Sequence, residues 1–91
     1  MSELTSFKRR AYLLIEVEIG KEAALIRSLQ RMDKVSSVDL IHGEYDLIAI
    51  LEGSYKEIDE TVLAVRKLPG VRKTVTLTAF EPHLKALEEE G

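Results

Sequence analysis

Residues 42–46 read His-Gly-Glu-Tyr-Asp, which gathers an imidazole, two carboxylates and a phenol around a glycine at the meeting point of two apolar runs. An imidazole titrates near neutral pH, so His42 beside Glu44 and Asp46 has the makings of a general acid or base. Such a pair needs a nucleophile or substrate to act on. The chain has no cysteine, and no serine stands in a recognisable nucleophile motif. His42 therefore reads as a turn-flanking residue that packs or contacts a ligand. Asp46 opens an apolar run, and two roles stay open for it: accepting backbone N–H groups as a turn cap, or offering its carboxylate to an amine. Thr74, Thr76 and Thr78 alternate along the last apolar segment. They are either β-branched residues filling a sheet face or hydroxyl donors able to hold a carboxylate.

Other chemistries find no support in the residue pattern. The second histidine, His83, stands far from the first, and no His, Asp or Glu spacing resembles a metal site, so neither metal nor cofactor is expected. Gly20, Gly43, Gly53 and Gly70 each stand alone at an element boundary, which excludes a glycine-rich phosphate loop and makes a nucleotide enzyme improbable. The formal charge of −3 argues against a dedicated nucleic-acid binder. Basic residues nevertheless cluster at Lys8-Arg9-Arg10, at Arg66-Lys67 and at Arg72-Lys73. The plain reading is that the first precedes a strand and the others flank a helix end, where cations complement the dipole.

The elements that must position these residues follow from apolar period. Residues 11–19 alternate, with Ala11, Leu13, Ile15, Val17 and Ile19 on a core-facing side and Tyr12, Leu14, Glu16 and Glu18 opposite. Residues 21–34 carry Leu25, Leu29 and Met32 at helical spacing. Two strands follow, over residues 35–42 and 45–51, joined at Gly43-Glu44 as a hairpin. The run 47–51 is apolar on both faces, as a central strand requires. Ser54 and Glu57 have capping-box spacing and open a second helix, whose stripe is Ile58, Val62, Val65 and Leu68 and which ends at Pro69-Gly70. Residues 71–80 return to alternation, and a short terminal helix is expected from Pro82.

The order strand, helix, strand, strand, helix, strand, with similar helix-to-strand junctions at Met32-Asp33-Lys34-Val35 and Leu68-Pro69-Gly70-Val71, matches a split βαβ fold. The expected class is α+β, ferredoxin-like βαββαβ: a four-stranded antiparallel sheet, first and third strands central, both helices on one face. The open face would carry Tyr12, Leu14, Ile48, Ile50 and the threonines, too apolar to leave in water, so these four apolar residues are the expected homodimer interface. Ninety-one residues suffice for one domain, divided as an extension over 1–10, the domain over 11–80 and a tail over 81–91. The absence of cysteine, of a signal peptide and of an apolar run long enough for a span points to a cytoplasmic protein without membrane association.

At this point a resemblance becomes visible. Residues 38–51 with the Gly43-Glu44-Tyr45-Asp46 junction, then Leu68-Pro69-Gly70-Val71 and the strand Thr74-Val75-Thr76, resemble the C-terminal effector domain of the Lrp/AsnC feast/famine regulators, the RAM domain. The likeness runs over residues 11–80. Only about ten residues precede the first strand, too few for the family's helix-turn-helix module, so the chain looks like a stand-alone RAM protein and direct nucleic-acid binding is not carried over.

The resemblance implies dimers assembling into a ring such as an octamer, a small amino-acid effector at the contacts between dimers, and co-assembly with full-length Lrp/AsnC regulators. It places His42, Gly43, Glu44, Tyr45 and Asp46 in the effector pocket, with Thr74 and Thr76 as polar contacts. Physically, Asp46 suits the ammonium of a zwitterion, and the Gly43 backbone permits close approach. The chain is thus read as a sensing and oligomerisation module and not as an enzyme. Two alternatives share the element order: a small dimeric barrel enzyme of the monooxygenase kind, for which His42 is wrongly placed, and an ACT-type regulatory domain, which joins through sheet edges.

Overall fold

A computed structural model of the protein describes residues 9–79. In chain order these form β1 (Arg9–Val17), α1 (Glu22–Gln30), β2 (Val35–Leu40), β3 (Leu47–Gly53), α2 (Tyr55–Arg66) and β4 (Val71–Thr78). The expected terminal helix, His83 and the segment before Arg9 lie outside the described residues.

β1 pairs antiparallel with both β3 and β4, and β2 pairs with β3, giving the sheet order β2-β3-β1-β4. This is the ferredoxin-like arrangement, with the first and third strands central. Strict alternation sends Ala11, Leu13, Ile15 and Val17 of β1 and Leu47, Ala49 and Leu51 of β3 to one face. There they meet Leu25 and Leu29 of α1 and Ile58 and Val65 of α2 in a single buried core.

The helices sit where their ends are satisfied. Ser54 Oγ accepts from the Glu57 N–H at 3.1 Å, and Glu57 Oε1 accepts from the Ser54 N–H at 2.9 Å, completing the capping box. The Ser54 N–H, and next Lys34 at 3.3 Å, hold the Glu57 carboxyl below its ordinary range. Both helices finish in a tightened turn. Met32 donates to Leu29 and Val35 to Met32, and the same bonds recur at Leu68 to Val65 and Val71 to Leu68. That recurrence is the physical content of the internal repeat. It also leaves Met32 and Leu68 beyond the helix ends yet packed against the core.

Four details differ from the sequence reading. Ile19 is 89% exposed, not core-facing, because β1 stops at Val17: the Glu18 N–H turns to the Gly70 carbonyl at 2.8 Å and Lys21 N–H closes a turn onto Glu18. The first helix spans a shorter segment than its apolar period suggests. The hairpin connection is not a tight turn at Gly43-Glu44 but the loop 41–46, closed by the Ile41 N–H on the Asp46 carbonyl at 2.9 Å.

The threonines lie on the opposite face from the one expected. Thr74 stands opposite Ile15, and Thr76 opposite Leu13, so both belong to the helix-covered side, while Val75 and Leu77 face the open side beside Leu14 and Tyr12. Alternation within β4 cannot say which half-set faces inward; only the register with β1 decides that. Thr61, absent from the apolar stripe, is buried with its hydroxyl donating to the Glu57 carbonyl at 2.7 Å.

Leu13→Ala should lower unfolding free energy by about 2–5 kcal/mol in urea titration, since the side chain is fully buried at the sheet centre. Glu57→Gln tests the cap by pH. A carboxyl whose folded pKa is depressed stabilises above its unfolded pKa and loses that contribution as pH falls through the folded value. The gap in midpoint between wild type and Glu57→Gln should therefore be present at neutral pH and shrink on acidification below the ordinary carboxylate range.

Candidate functional site

The loop 41–46 hangs from one end of the sheet, and Asp46 pins it there. Besides closing the loop with its carbonyl, Asp46 donates its N–H to the Ile15 carbonyl at 2.9 Å, and its Oδ2 accepts from the Val17 N–H at 2.7 Å. One carboxylate oxygen is thus a structural acceptor at the end of β1. Oδ1 has no hydrogen bond among the described residues. Sequence left cap and ligand contact as alternatives for Asp46; the structure gives it the backbone partner and keeps the second oxygen available.

His42, Gly43 and Glu44 form the exposed tip of the loop. Gly43 has φ +125°, a backbone region that side chains disfavour, and a Cβ built there would meet nothing within 4 Å. The glycine therefore serves conformation at an open position. Tyr45 is half-buried, and the Lys73 Nζ of β4 stands 5.7 Å from its ring centroid, within cation–π range. This contact ties the loop to the start of β4.

Thr74 and Thr76 do not line the same surface as the loop. They form one wall of a cleft of about 520 Å³ between α2 and β4, whose other lining residues are Val62, Arg66, Val71, Arg72 and Lys73. Lys73 lines this cleft and is also the residue whose Nζ stands over Tyr45. The two arginines are participants that the dipole-complement reading of the basic clusters set aside; the signal was present in their types, but their convergence needed the strand and helix to be packed.

A β-bulge produces part of this geometry. Glu16 pairs with Lys73 and Val17 with Val71, which leaves Arg72 as the extra residue of β4. Bulges re-aim side chains and recur beside functional sites. Among the described residues no group of three His, Cys, Asp or Glu side chains is arranged to hold a metal, and no helix is long and apolar enough to cross a membrane.

The open face holds the four residues expected at an interface. Tyr12 pairs with Ile50 and Leu14 with Ile48 across β1 and β3, and Leu77 and Val75 extend the patch across β4. A charged rim borders it: Arg10 Nη2 donates to Glu52 Oε2 at 2.8 Å, with Nε at 3.0 Å. Tyr12 and, next, Glu52 raise the guanidinium pKa further.

No protein-family model matches the chain. The HTH-type transcriptional regulator FL11 of Pyrococcus abyssi is 25% identical over 87 residues, covering 94% of this chain and 58% of the regulator. The chain thus spans less than two thirds of that relative's length. The crystal structure of FFRP-DM1 is 31% identical with a TM-score of 0.75, over 79% of this chain and 99% of that one. The chain belongs to the Lrp/AsnC family of regulators.

Two solved structures of lower identity share the fold. AsnC of Escherichia coli superposes with a TM-score of 0.79 at 12% identity, over 91% of this chain and 58% of AsnC. The transcriptional regulator NMB0573 of Neisseria meningitidis, solved as a complex with L-Met, gives 0.76 at 16% identity, over 96% and 64% of the two chains. Within this Lrp/AsnC fold, the loop 41–46 and the α2–β4 cleft occupy one end of the sheet, while the apolar patch occupies its open face.

Asp46→Ala should lower stability by about 1–3 kcal/mol by urea denaturation, because the Val17 N–H loses a charged acceptor. Asp46→Asn, whose side-chain oxygen can still accept, should lose less. Equal losses would remove the charge from the argument.

Proposed function

We propose that this chain is the effector-sensing and assembly module of an Lrp/AsnC-type regulatory system. In this reading a small amino acid binds at the loop 42–46 end of the sheet, and the protomers associate through the open sheet face. The observation that carries the proposal is the concentration of polar groups at that end, namely the free Asp46 Oδ1, the Gly43 backbone, Lys73 and the hydroxyls of Thr74 and Thr76, in a fold that in the meningococcal regulator was solved with L-Met.

The chemistry suits a zwitterion. Its ammonium needs carboxylate or carbonyl acceptors, and its carboxylate needs N–H, hydroxyl or cationic donors; both kinds stand at this end of the sheet. His42, Glu44 and Tyr45 shape its outer wall.

Assembly follows from the other face. Tyr12, Leu14, Ile48, Ile50, Val75 and Leu77 make a contiguous apolar patch with a polar rim, the anatomy of an interface between copies. Face-to-face pairing of two sheets would bury it, and further assembly of dimers into a ring would place effector at contacts between them. Ligand then shifts the assembly equilibrium by its differential affinity for the assembled state. Co-assembly with regulators of the same family that carry a helix-turn-helix domain would transmit that shift to DNA without nucleic-acid contact by this module.

Thermal denaturation with each of the twenty amino acids tests sensing: a ligand at 100 times its dissociation constant should stabilise by about 2.7 kcal/mol. No shift with any of them would overturn the amino-acid reading. Sedimentation tests assembly. Ile50→Glu should convert dimers to folded monomers, because a charge at the centre of the patch makes pairing unfavourable.

A further inference from the structure

The α2–β4 cleft has a chemical bias that amino-acid sensing alone does not require. Arg66 reaches it from the last turn of α2, and Arg72 from the bulge at the start of β4. Neither guanidinium has an ion pair or hydrogen bond to another described residue. Complementing the α2 dipole accounts for a cation at position 66. It does not account for Arg72, which is on a strand and is released from the regular ladder by the bulge. Thr74 and Thr76 line the cleft with them and bring hydroxyl donors, and no carboxylate lines this cleft.

A second recess along α2 shares Val62, Arg66 and Thr76 with this cleft and adds Asp59 and Leu63. The volume of about 520 Å³ falls within the range of small-molecule sites. Two arginines and two threonines lining one recess supply the donors of an anion receptor, and planar guanidinium groups match carboxylates in two-point contacts.

Resting on the sensing role above, we propose that the α2–β4 cleft selects an acidic amino acid, whose side-chain carboxylate Arg66 and Arg72 hold.

The discriminating experiment is calorimetry of the full chain with L-glutamate, L-aspartate, their amides L-glutamine and L-asparagine, and glutarate. One acid should bind about 10- to 100-fold more tightly than its amide, the effect of a charge-assisted hydrogen bond. Arg66→Gln and Arg72→Gln should each bring that acid toward the affinity of the amide, with unchanged far-UV circular dichroism, and Arg72→Lys should retain part of the preference. Equal binding of acid and amide, insensitive to both arginines, overturns this inference and leaves amino-acid sensing intact. Glutarate binding as tightly as glutamate overturns the amino-acid assignment while keeping the anion receptor. Absence of binding by every compound overturns the acidic-ligand assignment, and the panel of twenty amino acids then decides the broader reading separately.

Discussion

The structure depends on the pairing of β1 with strands on both sides. Its odd-numbered residues Ala11, Leu13, Ile15 and Val17 are the floor of the core, and its even-numbered residues Tyr12 and Leu14 are the middle of the open face. Because side chains alternate with a period of two, a slip of one residue against either neighbour would exchange these sets and bury the wrong surface. Both helices, the position of the loop 41–46 and the facing of Thr74 and Thr76 are all referred to this one register.

Asp46 stops that register at the functional end. Its backbone N–H and carboxylate engage Ile15 and Val17 while its carbonyl closes the loop, so the loop is fastened to the strand that organises the core. Beyond that point the β1–β4 ladder is broken by the bulge at Arg72. Core and site are therefore not independent layers. The same strand end that completes the hydrophobic floor terminates the ladder, frees an arginine and positions the loop, and substitutions that loosen it would disturb binding and stability together.

The two faces of the sheet divide the labour. One is sealed by the helices and contributes stability; the other remains apolar with a rim of charges and is the face through which association is proposed. The candidate ligand region sits at the end where these faces meet, touched by the loop, by β4 and by α2. Such a location suits a sensor, because a ligand there contacts elements belonging to both the core and any assembly, and its binding energy can be coupled to the contacts between copies.

Much of this was legible in the sequence because it rests on local rules. Alternation in β1, the doubly apolar β3, the Ser54–Glu57 capping box and the recurrent helix-to-strand junctions each follow from chain-neighbour geometry, and together they determined the ferredoxin-like order and the open-face residues Tyr12, Leu14, Ile48 and Ile50. What they could not determine is anything set by long-range registration. Ile19 continues the pattern in sequence but leaves the sheet, because Glu18 bonds to Gly70 across the fold. The threonines of β4 alternate correctly yet face the helices, since that choice is made by pairing with Leu13 and Ile15. Arg66 and Arg72 stand near each other in the chain, but their shared cleft exists only once α2 packs on β4 and the bulge frees Arg72. A periodic pattern specifies which residues share a side; only tertiary packing specifies which side faces what.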